Sequence, residues 1–165
     1  MIETLPTSTH VAGYIRWRLK EKKSPYVDNI TYINRVLFFS YACALSRGFR
    51  LCDESPHWTE HGFTFFNPII DFNDLHESTG MYPMFAIHGF SSSQQDDIKQ
   101  AVDAGLTMVG DYSASVLIKI QRLIPRWTEE KNRRKAKDVT YEVVYSLPDK
   151  ELLEWMQSSP IITKT

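Results

Sequence analysis

The sequence predicts a mainly α-helical domain with small β additions. We expect a single compact domain of about five helices, with a short β-hairpin or small sheet. Apolar residues recur at helical spacing in five separate segments, which is typical of amphipathic helices. Between residues 49 and 90 the helical pattern stops, and prolines and glycines separate short β-prone runs. The length of 165 residues and the 42% hydrophobic content favour one domain over 1–165, with loose tails at 1–8 and 158–165.

The first helix is expected to begin near Thr9, a good N-cap, and to end before Pro25. Its inner face carries four residues at helical spacing: Val11, Tyr14, Ile15 and Leu19. Its basic residues lie mainly on the opposite face: Arg16, Lys20 and Lys23. This pattern predicts an amphipathic helix with one side against the core.

The second helix is expected over residues 31–46, with Asn29 or Thr31 as its N-cap and Gly48 as its stop. Its apolar surface is nearly continuous because phenylalanines and leucines widen the inner stripe. A helix that is apolar almost all round is buried. We therefore expect it to be the central helix.

Three further helices are predicted. One is capped by Ser93 and ends at Gly110, and the next follows Asp111 or Ser113, carries Leu123 among its apolar residues and ends before Pro125. The last begins near Asp149. The basic run at 131–138 is expected to be a charged loop, the segment at 140–147 is β-prone, and residues 63–66 and 84–87 resemble strands.

The composition bears on several classes of function. A net charge of −1 makes nucleic acid an unfavoured partner, because dedicated nucleic-acid binding usually shows a basic excess. Two cysteines, Cys43 and Cys52, give no disulfide framework, and no signal peptide or membrane span is recognisable. We expect a soluble, cytoplasmic protein with no cofactor and no membrane partner. No complete catalytic set is recognisable, which favours a protein that is not an enzyme.

One motif supports a different interpretation. His57, Glu60 and His61 match H-x-x-E-H, the signature of a zinc-dependent hydrolase in which two histidines one helical turn apart bind zinc. Pro56 and Gly62 bracket the motif and disfavour a helix there. We therefore expect a loop without bound metal, and the zinc hydrolase stays a lesser alternative.

The order of several motifs resembles the Panacea-domain antitoxins, also called SocA-like or phage-associated GepA-like proteins. The family helix L-Q-K-L-L-Y-F-A has its counterpart in residues 33–40, after Thr31. An aromatic-Gly turn follows at 58–63, a Gly-Asp-x-Ser helix start at 110–113, and a Trp at Trp127. The chain departs from the pattern where Phe63 replaces a proline, and where Asn34 and Arg35 replace Gln and Lys.

This resemblance implies a non-catalytic antitoxin that neutralises a partner toxin by direct binding. The alternative is a phage-encoded inhibitor of a bacterial defence system. The expected partner is a cognate toxin or a host defence protein, and some relatives imply a protease or chaperone as well. We expect the loop from His57 to Phe66 to contribute to the binding surface. The candidate partner-binding residues are Arg35, His57, Trp58, His61 and Phe63.

Overall fold

A computed structural model of the chain describes residues 5–71, 90–137 and 144–158. Seven helices and a two-stranded antiparallel sheet make up this part, which is 65% helical. The predicted fold class, mainly α with small β additions, is therefore confirmed. No helix within the described ranges has the length and apolar character needed to cross a membrane.

The elements follow one another along the chain with short connections. In order they are α1 (Ser8–Glu21), α2 (Ile30–Ser46), β1 (His57–Thr59), β2 (Gly62–Thr64), α3 (Phe66–Ile70), α4 (Ser92–Val109), α5 (Ala114–Gln121), α6 (Pro125–Lys137) and α7 (Asp149–Ser158).

Helix α2 is the buried centre of the fold, as predicted. All thirteen residues from 32 to 44 are buried, and the Asn29 side chain caps the helix by accepting a hydrogen bond from the Tyr32 amide. The longest packing surface of α2 is against α4. Gly105 of α4 permits this close approach, because a Cβ atom there would lie 2.8 Å from the Ser40 Cα.

The hairpin pairs β1 with β2 in antiparallel register, with Trp58 opposite Phe63. The chain around Ser146 lies along the other edge of β1. The Trp58 amide donates to the Tyr145 carbonyl at 2.8 Å, and the Leu147 amide donates to the Pro56 carbonyl at 2.8 Å. An isolated bridge therefore sets Ser146 directly opposite His57, 89 residues earlier in the chain.

The prediction of a charged loop at the basic run is wrong, because residues 125–137 form helix α6. Three residues at i, i+3 and i+7 are buried on its inner face: Trp127, Glu130 and Arg134. The Glu130 carboxylate accepts hydrogen bonds from Arg133 and Arg134. Two of the inner residues are charged, so the hydrophobic pattern did not reveal the face.

Smaller differences concern the helix ends and one buried cation. The N-caps of α1 and α4 are Thr7 and Ser91, each two residues before the predicted cap. Arg16 is buried, not on a solvated face, and its guanidinium donates to the Val27 carbonyl and pairs with Asp28. Arginine tolerates this position because a carbonyl and a carboxylate replace its lost hydration.

The predicted N-terminal tail is anchored at its inner end. The Pro6 carbonyl accepts from the Asp53 amide, and the Ser8 amide donates to the Asp53 carboxylate. Residues 1–4, 84–87, 140–143 and 159–165 lie outside the described residues, so the predictions for them stay predictions.

Candidate functional site

The candidate site is built around the hairpin of β1 and β2. Two charged side chains, Arg35 and Glu54, hold the hairpin by hydrogen bonds from different parts of the chain. Arg35 of α2 contacts β2, and Glu54 lies before β1 and contacts both β1 and the start of α3. Both side chains are largely buried: Arg35 as a residue is 3% exposed and the Glu54 side chain 8%. Each charge must therefore find protein partners in place of water.

Arg35 uses its planar fork to bind oxygen atoms that carry no formal charge. Its Nη1 atom donates to the Phe63 carbonyl at 2.7 Å and to Gln121 Oε1 at 2.6 Å. Its Nη2 atom donates to the Thr64 hydroxyl at 2.9 Å. No carboxylate among the described residues pairs with it. Burial therefore lowers the pKa of Arg35 to about 10.

Two buried amides complete this centre. Gln121 Oε1 also accepts from the Phe63 amide at 3.2 Å, and its Nε2 donates to the Phe63 carbonyl at 3.1 Å. Asn34 makes the same pair of bonds to the Phe65 backbone, at 2.9 Å and 2.8 Å. These side chains satisfy the strand edge that faces the core, so the position of the hairpin is closely determined.

Two tryptophans fasten the hairpin to α6. The Trp58 indole donates to the Trp127 carbonyl at 3.0 Å, and the Trp127 indole donates to the Thr59 carbonyl at 2.9 Å. The rings stack with centroids 6.1 Å apart, and the Arg134 guanidinium lies 4.6 Å from the Trp58 ring centre. Trp58 is thus buried by its contacts with Trp127 and Arg134.

Glu54 collects hydrogen-bond donors from three parts of the chain. Its Oε1 accepts from the Ser8 hydroxyl at 2.7 Å and from the Asn67 amide at 3.2 Å. Its Oε2 accepts from the Phe66 amide at 2.8 Å and lies 3.0 Å from His57 Nε2. Burial acts to raise the pKa of Glu54, but the bonds from His57, Ser8 and the two amides outweigh it and lower the pKa below its ordinary value.

His57 joins this carboxylate to the surface. Its Nδ1 lies 3.0 Å from the Ser146 hydroxyl, and its ring stacks on Phe66 with centroids 4.5 Å apart. The H-x-x-E-H segment spans a strand and a tight turn, so its two histidines are not one helical turn apart. Within residues 5–71, 90–137 and 144–158, no three His, Cys, Asp or Glu side chains come together as metal ligands. The expectation of no bound metal stays a prediction.

The turn of the hairpin is the part that reaches solvent. His61 is exposed, and the Glu60 carbonyl accepts from Arg122 Nη2 at 2.8 Å. Arg122 and Lys131 both lie over the Trp127 ring, at 4.9 Å and 5.2 Å from its centre. Leu123, predicted among the apolar residues of its helix, is 57% exposed in the turn between α5 and α6. We define the hairpin-tip patch as His61, Arg122, Leu123 and Lys131.

The structure separates the five candidate partner-binding residues. Arg35, Trp58 and Phe63 are buried, so they are not part of the surface that this structure presents, and their role in partner binding stays a prediction. Arg35 is buried because it supplies hydrogen bonds to the inner edge of β2. Trp58 and Phe63 are buried because their rings pack against the core beneath the hairpin. His57 is half-buried and His61 is exposed. Whether the loop binds a partner stays a prediction.

Sequence analysis missed the residues that surround these candidates. Glu54 stands three residues before His57, a spacing that could have drawn attention to it. Ser146 and Arg122 carried no signal, because only the fold brings them to the hairpin. Comparison of the chain with protein-family models, with curated proteins and with solved structures found no match in any of the three.

Proposed function

We propose that this chain is a protein-binding domain, an antitoxin of the Panacea type that neutralises a toxin by direct binding rather than by catalysis. The observation that carries the proposal is the hairpin-tip patch. There Arg122 and Lys131 share the Trp127 ring, and Arg122 binds the Glu60 carbonyl next to exposed His61. Leu123, which follows Arg122 in the chain, is exposed. Arginine is enriched at protein interfaces, and the patch combines Arg122 with an exposed apolar side chain.

The support beneath the patch favours binding with little loss of conformational freedom. Buried amides and Arg35 hold the backbone of β2, and the Trp127 indole holds the Thr59 carbonyl next to the turn. Arg122 is restrained by the Glu60 carbonyl and by the ring of Trp127. A surface ordered before binding avoids much of the entropic cost of association.

The charges of the patch indicate the chemistry of the partner. Arg122 and Lys131 present positive charge, and exposed Lys135 lies one helical turn after Lys131 on α6. Arg133 of the same helix is paired with Glu130. An acidic protein surface with a small apolar pocket for Leu123 would complement this arrangement. The overall charge of −1 disfavours a long polyanion such as nucleic acid, because the rest of the chain would repel it.

The test is to capture the partner from the native host and to measure its affinity for patch variants. We expect His61→Ala or Leu123→Ala to lose about 2 kcal/mol, roughly 30-fold in Kd, if either is a hot spot. Asp97→Ala changes an exposed residue of α4 and serves as the matched control. Higher salt should weaken the complex, since cations of the patch would attract the partner.

The identity of the captured protein separates the antitoxin from the anti-defence alternative, because a toxin supports the first and a defence protein the second. Full affinity in both patch variants, with folding verified by circular dichroism, would remove the patch from the interface. Failure to capture any protein partner would contradict the proposed function as a whole.

A further inference from the structure

We propose that Ser146 is a reactive serine, activated by His57 and oriented through Glu54, that accepts an acyl or phosphonyl group from an electrophilic ester or fluoride. The three side chains form a continuous line of hydrogen bonds, with 3.0 Å from Glu54 Oε2 to His57 Nε2 and 3.0 Å from His57 Nδ1 to Ser146 Oγ. This site contains none of the residues of the hairpin-tip patch.

The charge on Glu54 fixes where the proton between Glu54 and His57 lies. Four donors besides any water surround its two oxygens: Ser8 Oγ, His57 Nε2 and the amides of Phe66 and Asn67. A carboxylate that accepts this many hydrogen bonds is held in its ionised form. An ionised carboxylate accepts hydrogen bonds and donates none, so the proton between the two groups belongs to His57 Nε2.

The proton on Nε2 defines the tautomer of His57. A neutral imidazole with its proton on Nε2 has a lone pair on Nδ1, and that atom faces the Ser146 hydroxyl. The hydroxyl therefore donates to a basic nitrogen, the arrangement that activates a serine nucleophile. In serine proteases the two ring nitrogens have the opposite assignment, but the order carboxylate, imidazole, hydroxyl is the same.

The Ser146 hydroxyl must also be accessible to a reagent from solvent. Ser146 is exposed, while the His57 ring is packed against Phe66 and half-buried. Backbone hydrogen bonds on both sides of Ser146 hold its Cα in place opposite His57. Those bonds secure the segment without the side chain, so the hydroxyl is not needed to maintain the bridge. The nucleophile is thus presented on a fixed backbone with its base behind it.

With a fluorophosphonate probe, the proposed step is a displacement of fluoride at phosphorus by the Ser146 oxygen. The Ser146 oxygen attacks phosphorus, the new O–P bond forms and the P–F bond breaks. Fluoride leaves with the bonding electron pair, and the hydroxyl proton passes to His57 Nδ1. The Ser146 amide makes no hydrogen bond among the described residues, so it can donate to the developing negative charge on the phosphoryl oxygen.

The experiment treats the full chain with a fluorophosphonate probe and maps the adduct by mass spectrometry. We expect one adduct, on Ser146, and none in Ser146→Ala. His57→Gln should slow labelling about a hundredfold or more, the typical contribution of a general base. Ser93→Ala is the matched control, because Ser93 is exposed on α4 and should leave the rate unchanged.

A second variant tests the positioning role of Glu54. In Glu54→Gln labelling of Ser146 should slow while the chain stays folded, because the amide can present its own N–H to His57 Nε2 and no longer fixes the tautomer that leaves Nδ1 free to accept from Ser146. Glu54 Oε2 lies 3.0 Å from His57 Nε2, so the substitution acts directly on the imidazole.

Three outcomes would overturn the proposal. They are a lack of any adduct, equal labelling of Ser93 and Ser146, and a wild-type rate in a His57→Gln variant shown to be folded by circular dichroism. None of these outcomes bears on partner binding at the hairpin-tip patch, so failure here and failure of the proposed function are distinguishable.

Discussion

Two charged side chains hold the same hairpin, and they differ in what surrounds them. The two Nη atoms of Arg35 bind a carbonyl, a side-chain amide and a hydroxyl, which belong to the buried residues Phe63, Gln121 and Thr64. Glu54 is enclosed by amide and hydroxyl donors, but one of its partners, His57, continues to an exposed serine. The difference separates a centre that fixes the backbone of a strand from one that is bonded directly to an imidazole and, through it, to an exposed hydroxyl.

The two centres also differ in how the loss of water is compensated. Glu54 gains enough donors to hold its pKa below the ordinary value despite burial. Arg35 has only dipoles as partners, so burial lowers its pKa to about 10 and the cation is disfavoured relative to water. It remains charged at neutral pH. We infer that Arg35 is retained for the geometry of its fork, which positions three oxygens at once.

The largest effect should come from removing the Arg35 fork. In Arg35→Met the Gln121 oxygen and the Thr64 hydroxyl each lose a buried partner, and we expect the free energy of unfolding to fall by about 3 kcal/mol. Urea denaturation followed by circular dichroism measures this change.

Arg35→Lys is the matched control for the Arg35 prediction. It keeps the charge but not the fork, so it should recover little of the lost stability. A variant Arg35→Met that is as stable as the wild type would show that the cost of burying the cation equals what its bonds contribute.

A smaller loss of stability should follow when a methyl group is added at Gly62, next to the Gln121 side chain that binds Arg35. Gly62 has φ +122°, a conformation that residues with a Cβ rarely adopt, and a Cβ there would lie 2.3 Å from Gln121 Oε1. We expect Gly62→Ala to lower the free energy of unfolding by about 2 kcal/mol through strain and displacement of Gln121.

Gly48→Ala gives a comparison for Gly62→Ala, because Gly48 also has positive φ but nothing within 4 Å of the added Cβ. The stability lost in Gly48→Ala should come from backbone strain alone, and it should be smaller than the stability lost in Gly62→Ala. Equal losses in thermal melts would contradict a role for crowding at the Arg35 centre.

The smallest effect on stability should come from Glu54, and it should depend on pH. The folded pKa of Glu54 lies below its ordinary value of 4.5, so its contribution is fully present above that pH and is lost as the pH falls through the folded pKa. Glu54→Gln should lower stability by about 1 kcal/mol at neutral pH, because a hydrogen bond to a charged group is replaced by one to a neutral group.

Chemical denaturation at a series of pH values measures this difference. The wild type should lose stability on acidification relative to Glu54→Gln, and the two should converge at low pH. A constant difference across the acidic range would mean that the carboxylate charge contributes nothing.

The parts of the fold that follow from apolar periodicity could be predicted. Helix α2 was recognisable because almost every position between residues 32 and 44 is apolar or aromatic, and Asn29 and Gly48 mark its ends. Helix α6 could not be recognised because its buried face includes Glu130 and Arg134, whose charges compensate each other only once the helix has formed. The helix propensities of single residues do not include such pairs.

The candidate site shows the same limit more sharply. The sequence indicated that the stretch around His57 was unusual, and the pattern of Pro56 and Gly62 correctly argued against a helix there. It could not show that Trp58 and Phe63 point inward, because aromatic residues suit both cores and interfaces. It also could not pair His57 with Ser146, since that contact depends on how the chain returns after α6.

The sequence by itself determined the fold class, the central helix and the irregular segment that carries the hairpin, because burial of apolar surface at a regular period is a local property of the chain. Only the tertiary structure decided which charges are buried, which polar groups satisfy them and which residues of the hairpin reach solvent. Those outcomes depend on distances between residues far apart in sequence, such as Arg35 with Gln121 and Glu54 with Ser8. Hydrogen bonds and ion pairs act only over a few ångströms, so folding must create that proximity before they can exist.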